Sequence, residues 1–233
     1  MGQRGKDVVW VPTPELLVER MLDVAGLTSS DFLIDLGSGD GRLVVAAARR
    51  GARAKGIEFN PELVAYATEQ AEKAGVGWRA TFEQGDIFTA DLSQATVITL
   101  FLSSEINLKL RPTLLALEPG TRVVTNTFEM ADWEPDTTEQ AGDCGSWCDA
   151  HLWIVPARVD GEWTLDGQPM RLEQSFQRVR GTIGGAEIQR GRLRGAAVTL
   201  DVGDESYRGH VRGDRMSGQT AAGRPWRATR RSR

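Results

Sequence analysis

Along the first two thirds of the chain, short apolar runs alternate with amphipathic stretches. FLIDL at 32–36, RAKGIEF at 53–59, WRATFEQ at 78–84, TVITLF at 96–101 and TRVVTNTF at 121–128 have the length and β-branched content of strands. Between them the period is helical. Leu17, Met21 and Val24 recur on one face until Gly26, with Thr13-Pro14 as an N-cap and first-turn proline, so a helix is predicted over 14–25. Helices are likewise predicted over 42–50, over 61–74 opened by Pro61, and from about 104 to 117 across Arg111-Pro112. Such alternation predicts an α/β fold, a Rossmann-like doubly wound parallel sheet with right-handed crossovers, whose ligand lies across the carboxyl ends of the strands.

From HLWIVPARV onward the helical period is lost and glycines recur. MRLEQSFQRV, AEIQRGRL, AAVTLDV, SYRGHV and RPWRATR alternate in strand fashion, which predicts an antiparallel meander forming a small barrel or half-barrel. Charge changes with the texture. Residues 1–157 hold 13 Lys/Arg against 23 Asp/Glu, whereas 158–233 hold 15 against 9, and those 15 are all Arg. Two domains are therefore expected, 1–157 and 158–233. The arginines are expected to form a solvated face, and nucleic acid is not the expected partner. Arg-Gly pairs such as 194–195 and 208–209 are taken as turn punctuation.

The chain has 233 residues, 40% hydrophobic and 26% charged, ordinary for a globule with a proper core. No apolar run approaches the roughly 20 residues that span a bilayer, and MGQRGKDVVWVPTP lacks a signal-peptide core, so a cytoplasmic location is expected, with an exported form left open. Cys144 and Cys148 lie in CGSWC, three residues before His151. That spacing lacks a fourth ligand, so no metal is expected there, and the pair is expected to be reduced.

The chemistry starts at DLGSGDGR, residues 35–42, between the first strand and the second helix. Gly37, Gly39 and Gly41 allow positive φ angles and close approach of a ligand to the main chain. The spacing is G-x-G-x-G, and Asp35 and Asp40 flank Ser38 and the glycines. Those acids repel a diphosphate and suit a ligand with a cationic end and several hydroxyls, for which S-adenosylmethionine fits. Downstream strand ends carry matching groups. Glu58 is placed to accept from ribose hydroxyls with Phe59 beside the adenine, and Asp86 to accept from the adenine amine with Ile87 as an apolar wall.

The order DLGSGDGR, GIEFNPEL, QGDIF and TVITLF resembles the class I, seven-β-strand methyltransferases over about residues 10–157. VWVPTPELLVERML, NLKLRPTLL and GTRVVTNTFEMADWEPD are similar to the protein-lysine methyltransferase family that includes archaeal broad-specificity enzymes and the mitochondrial enzyme acting on the c ring of ATP synthase. The resemblance implies that Thr13 closes over the cofactor and that Leu102, Ser103, Ser104 and Glu105 line the acceptor channel. Residues 158–233 depart from the family pattern.

A lysine acceptor must lose a proton, favoured by an apolar channel and a nearby acid; Glu105, Glu129 and Asp132 are candidates, Glu105 first, with Trp10 and Trp133 as channel walls. A small-molecule acceptor with the β region as its lid stays open, as does a non-catalytic cofactor sensor. An exocyclic base amine is disfavoured by LFLSSE after the fourth strand, and a nicotinamide oxidoreductase by the spacing of the turn. The oligomeric state does not follow from the sequence.

Overall fold

The computed structural model describes residues 11–142 and 147–231. The chain divides into two compact units, one of Met1–Leu117 and Thr121–Trp153, the other of Glu118–Gly120 and Ile154–Arg233.

The first unit opens with α1, Glu15–Val24, which buries Leu17, Val18, Met21 and Leu22. Pro14, and not Thr13, is its N-cap, and no side chain caps it. Gly26 ends it at φ 59°, with the Leu27 N–H donating to the Leu22 carbonyl, a left-handed stop that favours glycine. Then follow β1 (Phe32–Leu36), α2 (Arg42–Arg49), β2 (Arg53–Glu58), α3 (Pro61–Lys73), β3 (Ala80–Gln84), β4 (Val97–Leu100), α4 (Ser104–Leu114) and β5 (Arg122–Asn126). Asn60 caps α3 by accepting from the Glu62 N–H at 3.0 Å.

Two further strands, β6 (Thr137–Gln140) and β7 (Asp149–Ile154), complete a seven-stranded sheet in the order β3-β2-β1-β4-β5-β7-β6. The five strands from β3 to β5 pair in parallel, and β6 pairs antiparallel with β7. Parallel strands covered on both faces explain why β1, β4 and β5 are almost wholly buried. The stretch HLWI thus belongs to this sheet and not to the meander. No helix of the described residues is long and apolar enough to cross a membrane.

The second unit is a closed barrel. Its strands are β8 (Gly161–Leu165), β9 (Gln168–Ser175), β10 (Arg178–Ile183), β12 (Arg190–Arg194), β13 (Ala197–Val202), β14 (Glu205–Arg212), β15 (Arg215–Thr220) and β16 (Pro225–Arg230), with a two-residue β11 (Ala186–Glu187) attached to β10. Neighbours pair antiparallel, β16 returns to β8, and β9 pairs with β10, so the eight-stranded circle has no open edge. Of the two expected forms, barrel or half-barrel, the closed one is found. Its interior is filled by alternate residues, Trp163, Leu172, Leu193, Leu200, Met216 and Trp226 among them. Gly209 makes that packing possible. A Cβ there would stand 2.6 Å from the Trp226 ring.

Candidate functional site

The glycine loop joins β1 to α2 with Gly37, Gly39 and Gly41 at φ 78°, 53° and 79°. Its space is fully used. A Cβ on Gly41 would lie 2.6 Å from the Phe82 ring and 2.7 Å from Ala67, and one on Gly37 would lie 3.1 Å from Leu102. Gly56, on β2, is under the same constraint, because a Cβ there would meet the Ser38 hydroxyl at 2.4 Å and Phe82 at 2.6 Å. Phe82 and Gly56 therefore hold the loop in shape, and neither was legible as a site residue. Ser38 is buried and its hydroxyl has no partner.

Strand order 3-2-1-4 sets the ends of four strands side by side. Asp35 on β1 pairs in register with Thr99 on β4, whose hydroxyl donates to Asp35 Oδ1 at 2.7 Å. Burial pushes the Asp35 carboxyl up to about 7; the Thr99 bond pulls it back, and the charges of Glu58 and Asp40 push it further up. Glu58, at the end of β2, accepts from the Gly39 N–H at 3.0 Å and the Asn60 N–H at 2.9 Å. The Gly85 N–H donates to the Glu58 carbonyl at 3.0 Å, which brings the loop carrying Asp86 alongside. Asp86 is exposed, with Oδ1 accepting from the Phe88 N–H at 2.9 Å, Ile87 is half-buried, and Phe59 is exposed beside Glu58. Leu102 closes the floor under Gly37.

Several expectations need correction. Asp40 does not offer its charge to a ligand, because the Arg42 guanidinium holds both its carboxylate oxygens, at 3.0 Å from Nε and 2.5 Å from Nη2. The loop N–H groups are not an open anion cradle either. Those of Gly37 and Ser38 donate to the Ile57 carbonyl, and those of Gly39 and Gly41 to Glu58 and the Ser38 carbonyl. Arg42 reaches further, donating to the Thr13 carbonyl at 2.8 Å, and so ties the segment before α1 to the glycine loop. Thr13 is thereby placed at the site through its backbone. DGR was visible in the sequence, but the pairing of its first and last residues was not.

Beyond β4, Ser103 is the N-cap of α4, its hydroxyl accepting from the Ile106 N–H at 3.4 Å, and Ser104 is exposed. Glu105 is exposed and paired with Lys109 at 2.9 Å, which holds its carboxyl below the ordinary value. A base working near neutral pH needs the opposite shift. Asp132 is held low in the same way by Arg111, and Glu129 is exposed. Trp133 is a core residue stacked at 6.0 Å on Trp153, and Trp10 lies outside the described residues.

The aromatic groups near the strand ends are others. Phe101 after β4 stacks on Phe128 after β5 at 6.1 Å and meets the edge of Trp147 at 6.0 Å. Beside Phe128, the buried Asn126 amide has no partner for either Oδ1 or Nδ2, and Thr127 takes φ 60° with an unpartnered buried hydroxyl. Asn107 donates to the Phe128 carbonyl at 3.0 Å and keeps an unpartnered Oδ1. Unpaired buried polar groups are costly, so a cluster of them marks a place where a ligand or water supplies the missing bonds. His151 has both ring nitrogens engaged, with the Thr138 hydroxyl at 2.9 Å and the Thr127 carbonyl at 3.1 Å. Cys148 is disulfide-bonded, against the expected reduced pair, and Cys144 lies outside the described residues.

Carboxylates converging on a glycine loop at the carboxyl ends of β1 and β2, in a 3-2-1-4-5-7-6 sheet, fit a ligand with a cationic end, and define a seven-stranded S-adenosylmethionine-dependent methyltransferase. Residues 35–137 match the ANTKMT methyltransferase domain family. The chain is 40% identical over 151 residues to a protein-lysine N-methyltransferase of Saccharolobus islandicus, a match covering 64% of this chain and 94% of that protein. It is 40% identical over 111 residues to the mouse lysine N-methyltransferase named for the c ring protein of ATP synthase, spanning 45% of it and 47% of this chain. Among solved structures it is similar to an RNA methyltransferase from Salinibacter ruber in complex with S-adenosylhomocysteine, with 48% identity, TM-score 0.60, and coverage of 64% of this chain and 96% of that one. The chain belongs to the S-adenosylmethionine-dependent protein-lysine methyltransferase family. It is an enzyme, and its cofactor is S-adenosylmethionine.

Proposed function

We propose that this chain methylates lysine side chains of a protein acceptor, entering between the ends of β4 and β5. The observation that carries the proposal is the aromatic group Phe101, Phe128 and Trp147 beside the unpartnered amide of Asn126. An aromatic channel takes the four-carbon stem of lysine and disfavours its ammonium form, so the amine reaches the site neutral. Asn126 Oδ1 accepts from an amine N–H and fixes the direction of the lone pair. Bound S-adenosylmethionine supplies a methyl group on a positive sulfonium. Asp35 and Glu58 hold its cationic and ribose ends, and Asp86 with Phe59 and Ile87 holds the adenine. Most of the rate then comes from positioning. The acceptor proton passes to solvent, because the exposed, Lys109-paired Glu105 is unsuited to taking it.

The names of the archaeal and mouse relatives support a lysine acceptor. The name of the Salinibacter protein supports a second reading, an RNA acceptor. The test is to incubate the protein and methyl-labelled S-adenosylmethionine with a cell extract, beside a Glu58→Ala control, and to count label in protein, RNA and small-molecule fractions. Control-sensitive label in discrete protein bands is expected. Label confined to RNA or to small molecules would refute the lysine reading.

A further inference from the structure

The barrel's core positions fix where its arginines point. Val179, Leu193, Val198, Leu200, Val211 and Met216 face inward, so the residues that alternate with them face out. On β12 these are Arg190, Arg192 and Arg194; on β14 they are Ser206, Arg208, His210 and Arg212. Between the two lies β13, with the short Ala197 and Thr199 outward. Register makes the pattern explicit. Thr199 is flanked by Arg192 and Arg208, and Ala197 by Arg194 and His210. Two strand spacings, about 10 Å, separate the basic rows, so the surface is a shallow trough with a small-residue floor and cationic walls.

Charge is not balanced within it. Among the described residues, Asp201 is the sole acid at the outward positions of β12 to β15, and it is held by Arg190 at 3.3 Å at the end of the trough. Arg212 and Arg215 stand directly opposite each other across β14 and β15, an unfavourable like-charge pairing. Acids that could cancel such charge are elsewhere, with Glu162 and Glu173 on the β8–β9 side beside Arg171.

We propose that this trough binds the phosphate backbone of a nucleic-acid strand. Protein interfaces centre on buried aromatic or aliphatic anchors, and this face has none. Every exposed large apolar side chain among the described residues lies at or before Trp147. Guanidinium forks, by contrast, match phosphate oxygens two at a time, and all the basic charge here beyond His210 is arginine. Without aromatic platforms the contact reads backbone and not base, so binding is indifferent to sequence and steep in salt. The proposal departs from the expectation of a merely solvated face, and it is independent of which acceptor the first unit methylates.

The experiment uses the full chain without cofactor and a fluorescein-labelled, unstructured twenty-nucleotide RNA, read by anisotropy, with a labelled twenty-residue polyglutamate as competitor probe. Four phosphate contacts predict an affinity loss of about 50-fold between about 50 and 200 mM salt. Arg194→Glu with Arg208→Glu should weaken binding by at least about 30-fold at the lower salt and roughly halve the salt slope. Arg171→Gln, outside the trough, should stay within about 3-fold. If the double reversal fails to fold by circular dichroism, Arg194→Gln with Arg208→Gln gives the same reading through the slope. Absence of RNA binding at low salt, or binding untouched by the trough variants, would overturn the proposal. Polyglutamate bound as tightly as RNA would overturn it in favour of an acidic protein partner.

Discussion

Asp35 couples cofactor binding to pH. It is 7% exposed, and burial pushes its carboxyl up to about 7, so near neutral pH it is half protonated before any ligand arrives. A cationic ligand favours the ionised form and must therefore displace the proton. For a group titrating at about 7, the ionised fraction grows about 25-fold between about pH 5.5 and 7.5, and cofactor affinity should rise by that factor. Close to pH 6.5, about three quarters of a proton should be released per cofactor bound. Isothermal titration in buffers of different ionisation enthalpy measures both. Asp35→Asn removes the ionisable group while keeping its shape, and should flatten the affinity profile and abolish proton release. A flat wild-type profile, or an equal slope in the variant, would refute the role of Asp35. The same shift acts on folding with the opposite sign. A carboxyl raised in the native state holds a proton the unfolded chain has lost, so cofactor-free stability should fall as pH rises from about 4 to about 7 and level off above.

Arg42→Ala frees both Asp40 and the Thr13 carbonyl, and should weaken cofactor affinity about tenfold in equilibrium binding while the fold persists. Gly41→Ala combines a forbidden φ with contacts of 2.6 Å to Phe82 and should cost about 3 kcal/mol, measured by denaturant unfolding. Glu105→Gln should leave turnover within about threefold, since the group is exposed and paired outside the reaction; a large fall would return it to the mechanism. Asn126→Leu removes two unpaired buried atoms and should leave the melting temperature unchanged or higher, while turnover falls at least about tenfold at unchanged cofactor affinity.

The parallel core was legible because its strands are continuous apolar runs, and the glycine loop because its spacing between strand and helix is rarely needed otherwise. Strand-end acids were legible for the same reason, since strand order alone sets Asp35, Glu58 and Asp86 side by side. Less local features were not. β6 is a polar four-residue edge strand, TTEQ, and β7 reads like the start of the following meander. β5 stops at Asn126 because Thr127 turns to φ 60°, which a β-branched run does not announce. Barrel closure depends on β16 meeting β8 and β9 meeting β10, pairings set by register and not by alternation. In the site, what the sequence hid was pairing. Arg42 on Asp40 and Lys109 on Glu105 each changed an acid's role, and the same residue types with other rotamers would have left both available.

The account's central claim is methyl transfer to lysine, and hydrolysis of the labelled acceptor tests it most directly. Protein labelled by the wild-type enzyme is digested completely to amino acids, and the label is resolved against methylated lysine, arginine and histidine standards. The account predicts label co-eluting with methyl-lysine, lost in Asn126→Leu and in Glu58→Ala. Label in any other amino acid, or label recovered in methylated nucleosides from the RNA fraction with none in lysine, would contradict it.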